Sequence, residues 1–315
     1  MILVTGATGF VGRALIKRLV ADSTPSSVLA AIRGLGDVSY GVQTVQVGDL
    51  LNSIDWSPAL KGVSAVVHCA GRVHVMLDVA ADPLEAYRQV NVRGTLSLAL
   101  QAAREGVRRF VFISSIKVNG EATVLNHPFK ADDMPLPIDP YGVSKLEAEK
   151  GLREIELSTG MEVVIIRPPL IYGPGVNANF ASMLTWLARG IPLPLGAIQN
   201  LRSMVALDNL VDLLVNCLTH PDAAGQTLLV SDGEDISTTE LLRLTGQVMG
   251  KEALLIPLPV SLLKISATFL GKQAMVQRLT DSLQVDIEKT RCLIGWSPPI
   301  TLKQGLVKAV MGMRL

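Results

Sequence analysis

The 315-residue sequence predicts an α/β fold, a doubly wound parallel sheet with a smaller C-terminal domain interleaved into it. Three observations carry the prediction. Short, almost wholly apolar runs alternate with helix-period segments through the first half. A glycine-rich turn joins the first run to the first helix, and after Arg167 the texture changes to crowded prolines and glycines. Runs apolar at nearly every position fit strands covered on both faces, as helices on each side of a parallel sheet provide.

Residues 1–5, 28–32, 44–47, 65–69, 110–114 and 163–167 read as buried strands, and residues 10–21, 84–105 and 141–157 as amphipathic helices between them. Strand–helix–strand order with right-handed crossovers gives the doubly wound domain. Pro168, Pro169, Gly173, Pro174 and Gly175 then open an irregular stretch, followed by a helix-like FASMLTWLARG and the loop IPLPLG. Exposed segments of this kind often handle ligands. Residues 203–207 read as a further sheet strand and 209–218 as its helix. The first domain is therefore expected to span residues 1–167 plus about 201–220, and the second about 168–200 plus 221–315.

Composition narrows the function classes. Hydrophobic residues make up 49% and charged residues 18%, with mean hydropathy +0.38, which is a globular and not a disordered balance. A net charge of +1 gives no nucleic-acid footprint and no sign of a membrane-surface patch. Cys69, Cys217 and Cys292 are far apart and form no CxxC pair, so neither a disulfide frame nor a zinc site is expected. The four histidines lack metal-ligand spacing, and no bound metal is expected. No signal peptide is visible, and the oiliest late segment, PLPVSLLKISATFLG, is broken by Pro257, Pro259 and Lys264. A cytoplasmic protein is expected.

TGATGFVG places Gly6, Gly9 and Gly12 between the first strand and the first helix. The spacing is GxxGxxG, not the commoner GxGxxG. Such glycines let backbone turn sharply and approach a pyrophosphate, while the helix starting near Phe10 offers free N–H groups and its positive dipole end. In dinucleotide-binding folds an acid roughly 20 residues further on takes the ribose hydroxyls of NAD, and a basic group there favours the 2′-phosphate of NADP. Arg33 lies 21 positions after Gly12, and no acid occurs between Val28 and Leu35. NADP is therefore expected ahead of NAD, with Arg13 able to assist. The plainer reading of Arg33 is a solvated strand-end cation.

PYGVSK sets Tyr141 and Lys145 four residues apart, on one face of a helix. FVFISS ends the preceding strand at Ser114 and Ser115. With TGATGFVG, GDL at 48–50, VVHCAG at 66–71, NVRGT at 91–95, FVFISSIKVNGE, DPYGVSK, IIRPPLIYGPG, NFASML, LRSMVALDNLVD and IGWSP, the sequence resembles an extended short-chain dehydrogenase/reductase of the nucleotide-sugar epimerase and reductase type, over almost its whole length.

That resemblance implies a Rossmann domain and a nucleotide-sugar substrate domain. It implies Tyr141 as acid/base, Lys145 as the cation beside it, Ser115 as hydrogen-bond donor to the reacting oxygen, and Asn91 as support for the lysine. A free phenol ionises near pH 10, so bringing it to neutrality takes roughly 4 kcal/mol of favourable charge. Gly6, Thr8, Gly9, Phe10, Val11, Gly12, Arg33, Asp49, Leu50, Ala70, Gly71, Tyr141, Lys145 and Pro168 are implied on the cofactor. Lys117, Asn179, Arg202 and Arg278 are implied on a UDP-sugar, an arginine fork matching phosphate oxygens. His68, Cys69 and Cys217 read as core filling, His127 and Asn119 as loop residues. A homodimer through helices 84–105 and 141–157 is also implied.

Related dehydratases carry an Asp-Glu pair after the catalytic hydroxyl; here Ile116 and Lys117 follow Ser115, which argues against dehydration. Two reactions at C4 remain. Arg33 favours a reductase using NADPH, and FISSIKVNGE, RPPLIYGPGVNANF and LVSDGED resemble bacterial reductases of UDP-4-keto-6-deoxy-N-acetylhexosamines. The alternative is a UDP-sugar 4-epimerase that retains NAD. A non-catalytic dinucleotide-binding scaffold is disfavoured because Tyr141 and Lys145 are both present.

Overall fold

The computed structural model of the chain describes all residues except 35–37, 39, 52–53, 74–81, 177 and 313–315, and the side chains of 25, 178 and 179. Its strands are β1 (Ile2–Thr5), β2 (Val28–Ile32), β3 (Gln43–Gln46), β4 (Ala65–His68), β5 (Arg109–Ile113), β6 (Glu162–Arg167), β7 (Leu170–Tyr172), β8 (Arg202–Ala206), β9 (Thr227–Leu229) and β10 (Asp235–Ile236). The helices are α1 (Phe10–Asp22), α2 (Ser57–Leu60), α3 (Pro83–Tyr87), α4 (Thr95–Arg104), α5 (Pro140–Thr159), α6 (Ala178–Ala188), α7 (Leu207–Thr219), α8 (Thr238–Val248), α9 (Val260–Phe269), α10 (Gln273–Thr280), α11 (Glu288–Ile294) and α12 (Leu302–Met311).

Seven strands form one parallel sheet in the order β3-β2-β1-β4-β5-β6-β9. Strand side chains alternate between faces, and both faces are apolar. Val4, Val67, Val111, Val164 and Ile166 pack under α1 and α7. Leu3, Val66, Phe110, Phe112, Val163 and Ile165 pack under α4 and α5. The uniformly oily runs of the other strands are the consequence of that double cover; β3, expected as buried, is largely exposed because it is the edge strand of the sheet. Residues 84–105, expected as one helix, are α3, a π-helical turn at Arg88–Gly94, and α4.

Pro168 and Pro169 come directly after β6. Proline has no N–H to extend a ladder, so the chain leaves the large sheet here. It re-enters pairing in a second sheet, ordered β10-β8-β7. Two strands therefore sort differently from the sequence expectation. β8, placed with the first domain, pairs with β7 and β10. β9, placed with the second, pairs with β6 at the edge of the large sheet. Of the 201–220 stretch, α7 and Val205 of β8 share the core on one face of the large sheet. Short apolar strands carry no signal for which sheet they join.

Tyr172 ties the second sheet to the C-terminal segments of the chain. Its buried hydroxyl lies 2.6 Å from Asp232 Oδ2 and 3.1 Å from the Leu302 carbonyl. Asp232 Oδ1 accepts from the Ala206 N–H and the Asn209 amide, each at 2.7 Å. Removing the hydroxyl leaves a buried carboxylate oxygen short of a donor. Tyr172→Phe is expected to cost about 1–3 kcal/mol of stability, measured by urea denaturation.

Candidate active site

Because the large sheet is parallel, the carboxyl ends of its strands share one edge, and the loops from β1, β2, β4, β5 and β6 meet there. The order of strands reverses direction between β1 and β4, the position where such sheets open a crevice for a ligand.

At β1, Gly6 has φ +62°, and a Cβ on it would sit 2.7 Å from the Ala70 nitrogen. Gly9 is the N-cap of α1 without a side-chain cap, and its N–H donates to the Gly6 carbonyl at 2.8 Å. A Cβ on Gly12 would overlap the Gly6 carbonyl. The glycines thus fold the loop tightly onto the helix start, and the first-turn N–H groups of α1 are left for an anionic group. Thr8 and Gly9 are exposed, and Phe10 and Val11 pack partly into the core under α1.

At the other strand ends, Arg33 is exposed just beyond β2 and makes no ion pair among the described residues. Asp49 accepts from the Leu51 N–H at 3.0 Å, and Leu50 packs against Gly94. The Ala70 N–H donates to Thr5 Oγ1 at 3.2 Å, and Thr5 in turn pairs with His68, whose other nitrogen meets Thr95. Burial, followed by the Lys145 charge, lowers His68 to about 3, so this ring stays neutral and structural. Pro168 is buried, and its carbonyl accepts from the Ile116 N–H at 3.0 Å.

Tyr141 and Lys145 stand in the first turns of α5, which Asp139 caps by accepting from the Gly142 N–H at 2.6 Å. Lys145 Nζ donates to the Ile113 carbonyl at 2.9 Å and lies 5.9 Å from the Tyr141 ring centre. Burial lowers Lys145 to about 8, against the opposing pull of Glu149. Burial raises the Tyr141 phenol, a hydrogen bond with Ser115 pulls it back, and Asp139 adds to the rise. The chain's own groups therefore do not bring the phenol to neutrality. Tyr87, which sequence reasoning missed, meets the Tyr141 ring edge-on at 5.9 Å.

Asn91 sits buried in the π-helical turn. Its Oδ1 accepts from the Arg72 N–H at 2.8 Å, and its Nδ2 donates to the Arg72 carbonyl and to Ser144 Oγ, each at 3.0 Å. It clamps the β4 turn to the residue beside Lys145. A Cβ on Gly71 would sit 3.1 Å from Asn91 Oδ1 and 3.5 Å from Lys145 Nζ, so glycine lets that turn lie on the lysine.

One turn below Lys145, Glu149 forms a fully buried pair with Arg167 at 2.6 Å and also accepts from Ser114 Oγ. Arg167 donates to Asn119 Oδ1 at 3.0 Å, so Asn119 is a buried brace, not an ordinary loop residue. Glu149 was legible as the position four after Lys145 on the same face.

The expected substrate residues fall into two groups. Lys117 binds Glu121 at 2.9 Å and also Asp139, which ties the loop after β5 to the start of α5. Arg202 and Arg278 are brought together: Arg202 Nη1 donates to the Arg278 carbonyl at 2.7 Å. Asn179 falls in the first turn of α6, which starts two residues before the expected FASMLTWLARG, and its side chain lies outside the described residues. His127 is exposed in its loop, and Cys217 is core. Among the described residues no group of His, Cys, Asp and Glu could hold a metal ion, and no helix is long and apolar enough to cross a membrane.

A glycine-looped parallel sheet with Ser115, Tyr141 and Lys145 gathered at its carboxyl edge defines a dinucleotide-dependent oxidoreductase of the short-chain type. The chain belongs to the NAD dependent epimerase/dehydratase family, whose profile matches residues 2–231. It is 50% identical over 305 residues to a UDP-glucose 4-epimerase of Vibrio cholerae, covering 96% of this chain and 92% of that protein. It is 30% identical over 316 residues to a GDP-6-deoxy-D-mannose reductase of Pseudomonas aeruginosa, covering 97% and 94%. The solved structure of MoeE5 in complex with UDP-glucose and NAD superposes with a TM-score of 0.79 at 26% identity, covering 99% of this chain and 98% of that one.

Two measurements test this arrangement. Glu149→Gln leaves Arg167 buried without its counter-charge and is expected to lose about 3–5 kcal/mol in denaturant unfolding. Turnover in the unaltered protein is expected to fall as pH rises through about 8, where Lys145 loses its proton. Glu149 raises Lys145, so in Glu149→Gln that fall moves to lower pH.

Proposed function

We propose that the chain is a UDP-sugar 4-epimerase that keeps NAD bound through its catalytic cycle. The observation that carries the reading is the Ser115–Tyr141–Lys145 site in a chain half identical, over nearly its full length, to a UDP-glucose 4-epimerase. The sequence expectation of a reductase using NADPH rested on Arg33 and on the resemblance of FISSIKVNGE, RPPLIYGPGVNANF and LVSDGED to bacterial 4-keto reductases. The related MoeE5 structure holds NAD and the half-identical relative is a 4-epimerase, so NAD replaces NADP in this proposal. The similarity to a GDP-6-deoxy-D-mannose reductase keeps net reduction as the second reading.

The uncapped start of α1, the tight Gly6–Gly12 loop and the glycine at position 71 fit a dinucleotide laid across the carboxyl edge. Gly6, Thr8, Gly9, Phe10, Val11 and Gly12 would hold its pyrophosphate, with Asp49, Leu50, Ala70, Gly71 and Pro168 along its length. Bound NAD would supply a hydride acceptor facing C4 of the sugar and, while oxidised, a positive charge beside the phenol.

Tyr141, as phenolate, would take the proton of the C4 hydroxyl when C4 is oxidised and give it back to the same oxygen when hydride is restored to C4 on its other face. Ser115 holds the same oxygen. Lys145, pinned to the Ile113 carbonyl, keeps its charge beside the phenol and orients the ribose. Arg202 and Arg278 take the diphosphate, and Asn179 joins them. Lys117 acts through Asp139, which caps the catalytic helix. A homodimer through α4 and α5 belongs to the same proposal; Leu100 and Leu157 point outward from those helices.

The purified chain given UDP-glucose and no added dinucleotide is expected to form UDP-galactose, followed by proton NMR of the anomeric signals. Turnover that appears only with added NADPH and a 4-keto sugar would establish the reductase instead. Tyr141→Phe is expected to lower turnover by about a hundredfold or more with NAD content unchanged. Arg33→Ala is expected to leave both NAD content and turnover as they were.

A further inference from the structure

The hairpin formed by α9 and α10 is apolar on both sides. Its inner side is ordinary: Leu263 and Ala267 of α9 are buried, and Leu263 shares a cluster with Val276 and Leu279 of α10. The outer side is not. Leu262, Ile265 and Phe269 recur at helical spacing on the opposite face and are 49%, 54% and 86% exposed. Leu270 at the tip is 69% exposed and Met275 on α10 is 46% exposed. The tip turns at Gly271, with φ +63° and open space around it. Large apolar side chains gathered on one outward face mark an interaction surface, where single ones would not.

Charge identifies the partner. Residues 253–280 contain no Asp or Glu, while Lys264, Lys272 and Arg278 line the same hairpin. Lys272 stands beside Phe269 and Leu270 at the tip, and Lys264 reaches only a long 3.5 Å contact to Asp281, the first acid beyond the stretch. The net charge of +1 hides this local excess. A short helix with large apolar residues outward and lysines at its margin is the pattern of an element that lies in a lipid interface, and here no helix of the described residues could span one. The far end of the hairpin leads back to the site, because the Arg278 carbonyl holds Arg202.

We propose that the α9–α10 hairpin docks the protein on an anionic lipid bilayer surface, inserting Phe269 and Leu270 with Lys264 and Lys272 on the headgroups. The proposal does not depend on which C4 reaction the site runs.

The test is vesicle flotation of the full chain, with phosphatidylcholine mixed with phosphatidylglycerol against phosphatidylcholine alone. The unaltered protein is expected to float with the anionic vesicles, and less so as salt is raised. A Phe269→Ser/Leu270→Ser variant is expected to lose roughly tenfold or more of that binding while keeping its turnover on soluble sugar nucleotide. A Lys264→Gln/Lys272→Gln variant, which keeps the apolar stripe, is expected to lose the preference for anionic vesicles. Absence of flotation, or equal flotation of the serine variant, would overturn the proposal. So would a change of the serine variant to a smaller species in gel filtration, which would show the face to be a contact between copies of the chain.

Discussion

The buried pair between Glu149 and Arg167 is the interaction on which the site rests. It joins the catalytic helix to the end of β6, and through Ser114 and Asn119 it reaches the end of β5 and the loop beyond it. Two charges out of water are costly, and their attraction compensates only with good geometry and further hydrogen bonds. Here the carboxylate also takes Ser114 and the guanidinium also gives to Asn119. A hydrophobic contact could hold α5 to the sheet as firmly. It would not set the helix at one height, and the height determines whether Lys145 meets the Ile113 carbonyl and Tyr141 meets Ser115.

Above that pair the site is arranged so that neither key group is comfortable. Burial draws the lysine down to about 8 and pushes the phenol up. In the proposed function the chain supplies position, and the phenol's ionisation would be left to a charge that arrives with the dinucleotide. Such coupling suits an epimerase, in which proton and hydride leave the same carbon–oxygen unit and return to it.

Much of this was legible in the sequence. Strands buried on both faces write an unbroken apolar run, and all six expected strands, the exposed edge strand β3 included, lie within a residue or two of where the sequence puts them. Tyr141 and Lys145 were legible from helical spacing and from their company. Three things were not. The assignment of β8 and β9 to their sheets depends on pairing partners distant in sequence, which short apolar strands do not encode. The π-helical turn holding Asn91 depends on tertiary hydrogen bonds to Arg72 and Ser144. Arg33 sits at the diagnostic spacing, but spacing does not say whether a side chain turns toward a ribose or into solvent.

The most direct measurement tracks the hydride itself. UDP-glucose carrying deuterium at C4 is incubated with the purified chain and no added cofactor, and the UDP-galactose formed is examined by mass spectrometry and NMR. The account predicts that the deuterium stays at C4, delivered back to the opposite face of the same sugar. Product with ordinary hydrogen at C4, taken from solvent or from another nucleotide, would contradict it.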